Sequence, residues 1–472
     1  MTMDLEQAFL ADIVEHPADR TPRLIYADWL EEQHGDDVAR MDRARFIRAQ
    51  CAAETTSPGD GAHLPACIEA ARLLGRNQFA WTRPLVSLGR NWRFAGGFIE
   101  HLVGGPGLLM EQGQRLLALA PVRSFSVRRV AGSWSRFLSC PHLRRLENLE
   151  VKMTFHDGAK WIDPLVACEH LGNLRCLSLD RNPLTDRTAE LLASSSAFPR
   201  LTELELGGSV VPSQRFLAIL DQSGLGRRLT ALRFSTGWGN EFALQGLLEG
   251  EWPSLRHLHL RGMHAQPEIV RWVLAAPWMS RIESLTFSGS RFDPGSLREL
   301  HEAPTLGENL RELRLEGCSF SRDHQPEPPL DRWPNLQALC YGHDRGDLIV
   351  DALRKRPLPA NLHAVQIAGL DLRDDRLTPV LDALDGLKLR SLDLVRVGLR
   401  TEEVRRLIAS PGFRSVQELD LSANLFSTSV VATLLEAPET RGLLALRVRG
   451  CSRLAPVDIR RLAARFYPNE IA

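Results

Sequence analysis

The chain has 472 residues, 44% hydrophobic and 25% charged, and its 58 lysines and arginines balance 58 aspartates and glutamates to a formal net charge of zero. That length exceeds what one compact core holds, which predicts several domains or one elongated repeat. Zero net charge removes any global pull toward nucleic acid or an anionic membrane, so neither is an expected partner.

Lys152, Lys160, Lys355 and Lys388 are the only lysines, so the positive charge is nearly all forked arginine, suited to carboxylate or phosphate. The eight cysteines stand singly with no paired spacing, which is reduced-thiol usage and points to a cytoplasmic setting. The opening MTMDLEQAFLADIVEHP carries acids where a secretory signal needs a basic segment. No apolar run approaches the roughly 20 residues of a membrane span.

In chain order, residues 5–16, 23–34 and about 38–52 read as three helices. Pro17 ends the first, Asp19 and Thr21 with Pro22 open the second, and Gly35 closes it. On the second helix Leu24, Ala27 and Leu30 line one side while Tyr26 and Trp29 widen it, which predicts buried aromatics in a three-helix unit. Asp28, set among apolar neighbours, is expected to pair with Arg23, Arg48 or a backbone amide, leaving Glu31, Glu32 and Asp36 as an acidic edge. Next come a flexible turn at 54–61, a helix at about 63–76 and the segment WTRPLVSLGRNWRFAGGF, read together as a cap.

Phe9, Leu10, Pro17, Asp19, Pro22, Arg23, Leu24, the run ADWLEE at 27–32, Gly35 and the ending Phe46, Ile47, Arg48 and Gln50 form a pattern of their own. On these residues the opening resembles the bacterial repeat-companion domain, a module found notably in planctomycetes and also in myxobacteria that precedes leucine-rich and other repeats. Arg45 stands where the family generally has an acid, and the link from Gly35 to Phe46 is longer here, so an ion pair made through that acid is not carried over. The resemblance brings no catalytic activity with it.

From residue 174 the frame LxxLxLxxNxL recurs, first as LRCLSLDRNPL, then from Leu201, Leu229, Leu255, Ile282, Leu310, Leu336, Leu362, Leu389, Val416 and Leu443, at a spacing of 26–28 residues. Weaker copies begin at Val122 and Leu146, and GFIEHL at 97–102 reads as an imperfect opening turn. The period of two in LxLxL sends the leucines into the core of a short strand and the residues between them onto its other face. Asn182 and Asn424 at the ninth position are placed to bond backbone, with Ser209, Ser290, Cys318 and Cys451 in their place elsewhere. The second half of each repeat reads as a helix, as in TEEVRRLIAS with a Thr401 cap. Phe198, Trp252 and Trp333, before their strands, read as core plugs.

The pattern resembles the leucine-rich repeat family in its longer, helix-backed subtype, that of ribonuclease inhibitor and the Ran GTPase-activating proteins. The resemblance implies an α/β fold: a right-handed solenoid with parallel strands on a concave face and helices on the convex one. The expected layout is a helical companion domain at 1–53, a linker and cap at 54–94, and about 12–13 repeats over 95–472.

Positions three, five, seven and eight of each repeat should face the concave side. The candidate partner-binding residues there are Glu203, Glu205, Arg233, His257, His259, Arg261, Glu312, Arg314, Glu316, Asp393, Arg396, Glu418, Asp420, Arg447 and Arg449. Their charges alternate by repeat, which serves strand-to-strand neutralisation and partner recognition equally. His257 and His259 lie two apart on one strand face with His264 just beyond, which suggests a metal, but the neighbouring positions Ala231, Arg233, Ser284 and Thr286 supply no carboxylate or thiol as a further ligand, and Arg233 would repel a cation. Nothing in the pattern fixes a nucleophile with an orienting acid and an oxyanion hole, and no P-loop or paired-cysteine pattern is present. The expectation is a non-enzymatic recognition scaffold without cofactor or metal, binding a protein partner, with a monomer favoured. The alternatives are a regulator of a GTPase or other enzyme acting through an arginine in trans, and a self-assembling structural protein.

Overall fold

The computed structural model describes residues 2–85, 92–128, 132–152, 161–207, 213–235, 244–321, 326–341, 346–355, 358–451 and 454–466. The chain divides into two compact units, the first running through Ser235 and including the segment that ends at Ser254, the second starting at Leu255.

The first unit opens with helices α1 (Thr2–Glu15), α2 (Thr21–Gln33), α3 (Val38–Thr55) and α4 (His63–Thr82). Asp37 caps α3 by accepting from the N–H groups of Ala39 and Arg40 at 2.9 and 3.3 Å. Tyr26, Ala27, Trp29 and Leu30 are buried with Ile13, Ala44, Ile47 and Cys51, as the helix wheel predicts. Phe98, which follows the helices in sequence, completes that same core. A second cluster joins Phe46, Ala49, Ala70 and Leu73 to Trp81 and Phe94. The helical module therefore shares its apolar interior with the first strands of the array.

Those strands are β1 (Trp92–Ala95) and β2 (Phe98–Gly104), an antiparallel hairpin. The boundary expected at 94/95 falls inside β1. From β2 onward the pairing is parallel, through β3 (Ser124–Arg128), β4 (Asn148–Lys152), β5 (Cys176–Asp180), β6 (Glu203–Gly207) and β7 (Ala231–Ser235). β1 thus covers what would otherwise be an open sheet edge at β2, the weak point of a repeat stack.

The second unit continues the plan with β8 (His257–Arg261), β9 (His264–Ala265), β10 (Ser284–Ser288), β11 (Arg291–Phe292), β12 (Glu312–Glu316) and β13 (Ser319–Phe320). It ends with β14 (Ala338–Cys340), β15 (Ala364–Ala368), β16 (Ser391–Val395), β17 (Glu418–Asp420) and β18 (Ala445–Arg447). The main sheet pairs in parallel from β8 through β10, β12 and β14 to β18, while β9, β11 and β13 form a separate three-stranded ladder.

Register follows the leucines: Leu177 lies opposite Leu204 and Leu232 follows, and in the second unit Leu258, Leu285 and Leu313 align. The ninth-position residues tie successive repeats together. Asn182, fully buried, donates to Val151 O at 2.7 Å, and Asn424 donates to Leu394 O at 2.7 Å while accepting from the N–H groups of Val397 and Leu399 at 3.1 Å. Ser290 accepts from Met263 N–H at 3.1 Å, and the Cys318 and Cys451 thiols each reach a carbonyl of the preceding repeat at 3.4 Å. Ser209 lies outside the described residues.

Phe198, Trp252 and Trp333 are buried as expected, the two indoles donating to Leu247 O and Leu306 O at 3.0 Å. Helices follow strands on the other layer, such as Thr401–Ala409, which buries Val404, Leu407 and Ile408. Its cap is not Thr401 but Arg400, whose N–H donates to the Glu403 carboxylate at 2.9 Å, one residue earlier than the composition of the first turn indicates. This is a leucine-rich-repeat-type α/β solenoid.

Candidate interaction surface

The strand residues between the leucines form two lines of side chains fixed by register. At position five the first unit presents Ser126, Glu150, Ser178, Glu205 and Arg233 in sequence across β3 to β7. The second presents His259, Thr286, Arg314, Cys340, Gln366, Asp393, Asp420 and Arg447 across β8 to β18. Position three contributes Glu203 in the first unit and His257, Glu312 and Glu418 in the second.

Several of the sequence-derived charges on this face meet an opposite charge. Glu205 is the register partner of Arg233. Arg314 lies 3.5 Å from Glu312 and 3.7 Å from Glu316 on its own strand. Arg447 pairs with Glu418 at 2.5 Å across β17 and β18. His259 bonds Ser288 Oγ at 2.6 Å, and His264 leaves the line altogether to pair with Asp293 at 2.7 Å. Among the described residues, no group of three or more His, Cys, Asp or Glu side chains is placed to hold a metal ion.

Asp393 and Asp420 break the alternation. They are direct register partners on β16 and β17, and like charges at that distance repel. Asp393 Oδ1 is buried with no hydrogen-bond donor. Burial first, then the carboxylates of Asp420 and Glu418, push the Asp393 carboxyl up to about 7.

Arg396 departs from the expected layout. The repeat frame puts it at position eight of the strand face, but its φ of 53° puts it in a left-handed turn just after β16, with its N–H donating to Ser422 O at 2.9 Å. The eighth position is left-handed in repeat after repeat, at Arg181, Gly262, Gly289, Gly317, Gly369, Ala423 and Gly450, so it ends the strand and does not extend the face. Arg449 likewise lies beyond β18, exposed, its N–H donating to Ser422 Oγ at 3.0 Å. His257 is exposed at the start of β8 and Arg261 half-buried at its end.

At the module's end of the first unit, Asp28 of α2 is exposed and pairs with Arg48, one of the three partners the sequence offers, and Arg48 also holds Glu31 at 3.0 Å. Arg23 is the buried residue, 1% exposed. Its Nη1 lies 2.5 Å from Glu100 Oε1 on β2 without hydrogen-bond alignment, and it donates to Ala95 O at 3.1 Å and Pro17 O at 2.6 Å. Arg123 grips the other Glu100 oxygen at 2.5 Å. Burial still pushes the Glu100 carboxyl above its ordinary value against both guanidiniums.

The hairpin turn sits on this network. Gly96 N–H donates to Glu54 and Gly97 N–H to Gln50, both at 2.7 Å. A Cβ on Gly97 would fall 2.8 Å from Ile47 Cα, and one on Gly96 would overlap the Arg23 guanidinium. Sequence reasoning missed this socket, although Gly-Gly between WRFA and FIEHL is a two-residue hairpin signal. Beside it Arg43 stacks its guanidinium 4.9 Å from the Trp81 ring and 4.8 Å from Phe98, and burial lowers it to about 10.

No family model matches the chain, and no curated protein matches it. Among solved structures it is similar to one from the complex of Rad7 and Elc1 in yeast, with 17% identity, a TM-score of 0.47, and coverage of 77% of this chain and 91% of that one. It is also similar to one from the TLR13–ssRNA13 complex, with 16% identity, a TM-score of 0.29, and coverage of 71% and 62%. A third is a protein from Bacteroides fragilis, with 13% identity, a TM-score of 0.31, and coverage of 74% and 82%.

Proposed function

We propose that the chain is a non-enzymatic recognition scaffold that takes a protein partner on the concave strand face. The observation that carries this reading is the pair Asp393 and Asp420: adjacent carboxylates in register, one with an oxygen buried and undonated. Such a pair is unfavourable in the free chain and is relieved by a basic side chain arriving from outside. The mixed charges around it suit a protein ligand better than a small molecule. The helical module reads as the bacterial repeat-companion domain, and the array as the ribonuclease-inhibitor-like subtype working in the cytoplasm. No helix among the described residues is long and apolar enough to cross a membrane.

Affinity capture from the source cells with intact chain, with D393R/D420R and with the outer-layer variant R405E tests this. Loss of the captured protein with D393R/D420R alone supports the strand face as the site. Equal capture by the intact chain and both variants rejects it. A regulator acting through an arginine in trans would instead keep its partner and lose only its effect when one exposed arginine becomes alanine.

A further inference from the structure

We propose that the first unit carries a second binding site, away from the strand face, for an acidic peptide segment. The site is a cleft of about 400 Å³ between the loop that follows α1 (residues 15–19) and the array edge formed by Arg144, Arg145, Arg175 and Arg200. It does not rest on the strand-face reading.

The repeat frame explains why these arginines converge. Arg145 and Arg200 each directly precede the first leucine of a repeat, Leu146 and Leu201, and Arg175 directly follows Leu174. Parallel register stacks those positions one strand apart, so residues distant in sequence line one edge. In the next repeat Arg228 directly precedes Leu229, but its fork is spent on the carbonyls of Leu201, Gly224 and Phe198 and it does not line the cleft. A chain of zero net charge thus concentrates forked cations at one place.

Three of the four guanidiniums are each held through one nitrogen. Arg144 Nε donates to His170 Nδ1 at 3.0 Å, Arg145 Nη1 to Val14 O at 2.6 Å, and Arg200 Nη1 to Asn173 Oδ1 at 3.0 Å. Arg175 Nε stands 3.8 Å from Glu147, which lies 3.4 Å from Arg123 as well. All four arginines of the cleft are exposed, so the remaining N–H groups of each fork face an incoming carboxylate in the two-pronged geometry arginine favours.

The lining also selects the ligand class. Glu15, Asp19 and Glu147 interrupt the positive wall, which disfavours the unbroken charge of a nucleic-acid backbone and accepts acids spaced by neutral residues. Asn173 and His16 add polar groups for a peptide backbone. The volume accommodates a few side chains, not a domain.

Fluorescence anisotropy on the intact chain, with a labelled peptide of Asp and Glu alternating with Gly and Ser, tests the site. The peptide is expected to bind at about 0.15 M salt and to weaken at about 0.5 M. R175E/R200E is expected to lower its affinity by about tenfold or more. R405E, an equal charge change per site on the exposed helix Thr401–Ala409, is expected to leave it unchanged. Should the reversals lower the melting temperature, R175Q/R200Q is read in their place with the same criterion. Undiminished binding by the arginine variants, an equal loss with R405E, or tighter binding of a single-stranded oligonucleotide through the same arginines overturns the proposal.

Discussion

Replacing Arg23 with Met should detach the helical module energetically from the array. Arg23 is buried against Glu100, and both side chains are nearly inaccessible, at 2% and 6%. Removing one partner of a buried pair strands the other in a low-dielectric interior, at a cost of about 3 to 5 kcal/mol. Arg123 remains on Glu100 at 2.5 Å, which places R23M toward the lower end, about 3 kcal/mol. E100L should cost a similar amount, because it leaves the Arg23 guanidinium buried with only the carbonyls of Ala95 and Pro17.

The double variant R23M/E100L distinguishes an ion pair from mere packing. It removes both charges and replaces them with apolar groups of comparable bulk, so its loss should fall well short of the sum of the single losses, by about 2 kcal/mol or more. Urea unfolding of the intact chain, followed by tryptophan fluorescence with Trp29 in the module core, measures all three. Additive losses, or an R23M cost under about 0.5 kcal/mol, would refute the argument that this pair clips the module to β2.

Gly97→Ala should cost at least about 2 kcal/mol, since it combines a left-handed φ of 86° with a Cβ driven into Ile47. Gly132→Ala, with φ 78° and open space around it, should cost only about 1 kcal/mol, and comparable melting temperatures for the two would contradict the socket. Asp393→Asn should stabilise the chain at pH 8 by on the order of 1 to 2 kcal/mol and leave it unchanged near pH 4. The sign follows from a folded carboxyl raised to about 7: deprotonation is disfavoured in the fold, so stability is lost as pH climbs from about 4 to about 7 and is flat above. Urea midpoints at both pH values check it, and equal gains at the two would point to packing instead.

The array was legible because each repeat writes its own geometry locally. Alternating leucines declare a strand, the ninth-position Asn or Cys declares the bond back to the preceding repeat, and the regular spacing sets the register. Arg23 with Glu100 was not legible, because the two are far apart in sequence and no periodicity links a helix of the module to β2. For Asp28 the sequence offered three partners and could not choose among them: the helix turns it outward to Arg48, while Arg23 turns in to Glu100. The eighth-position turn was hidden because Arg181, Arg396 and Ala423 adopt a left-handed φ more typical of glycine.

These placements narrow what can recognise a partner. A charge already matched within the sheet, as Arg447 is by Glu418, contributes little to binding, since a partner must break the existing pair before it forms a new one. The residues with most to offer are those whose charge the fold leaves unbalanced. On the strand face the crowded aspartates come nearest to it: Arg447 and Arg314 act on them, yet the undonated oxygen of Asp393 is an acceptor without a donor. On the edge it is met by arginines held through a single nitrogen. The two have opposite sign, so a basic segment bound at the aspartates and an acidic segment bound at the arginines are chemically distinct ligands that would not compete.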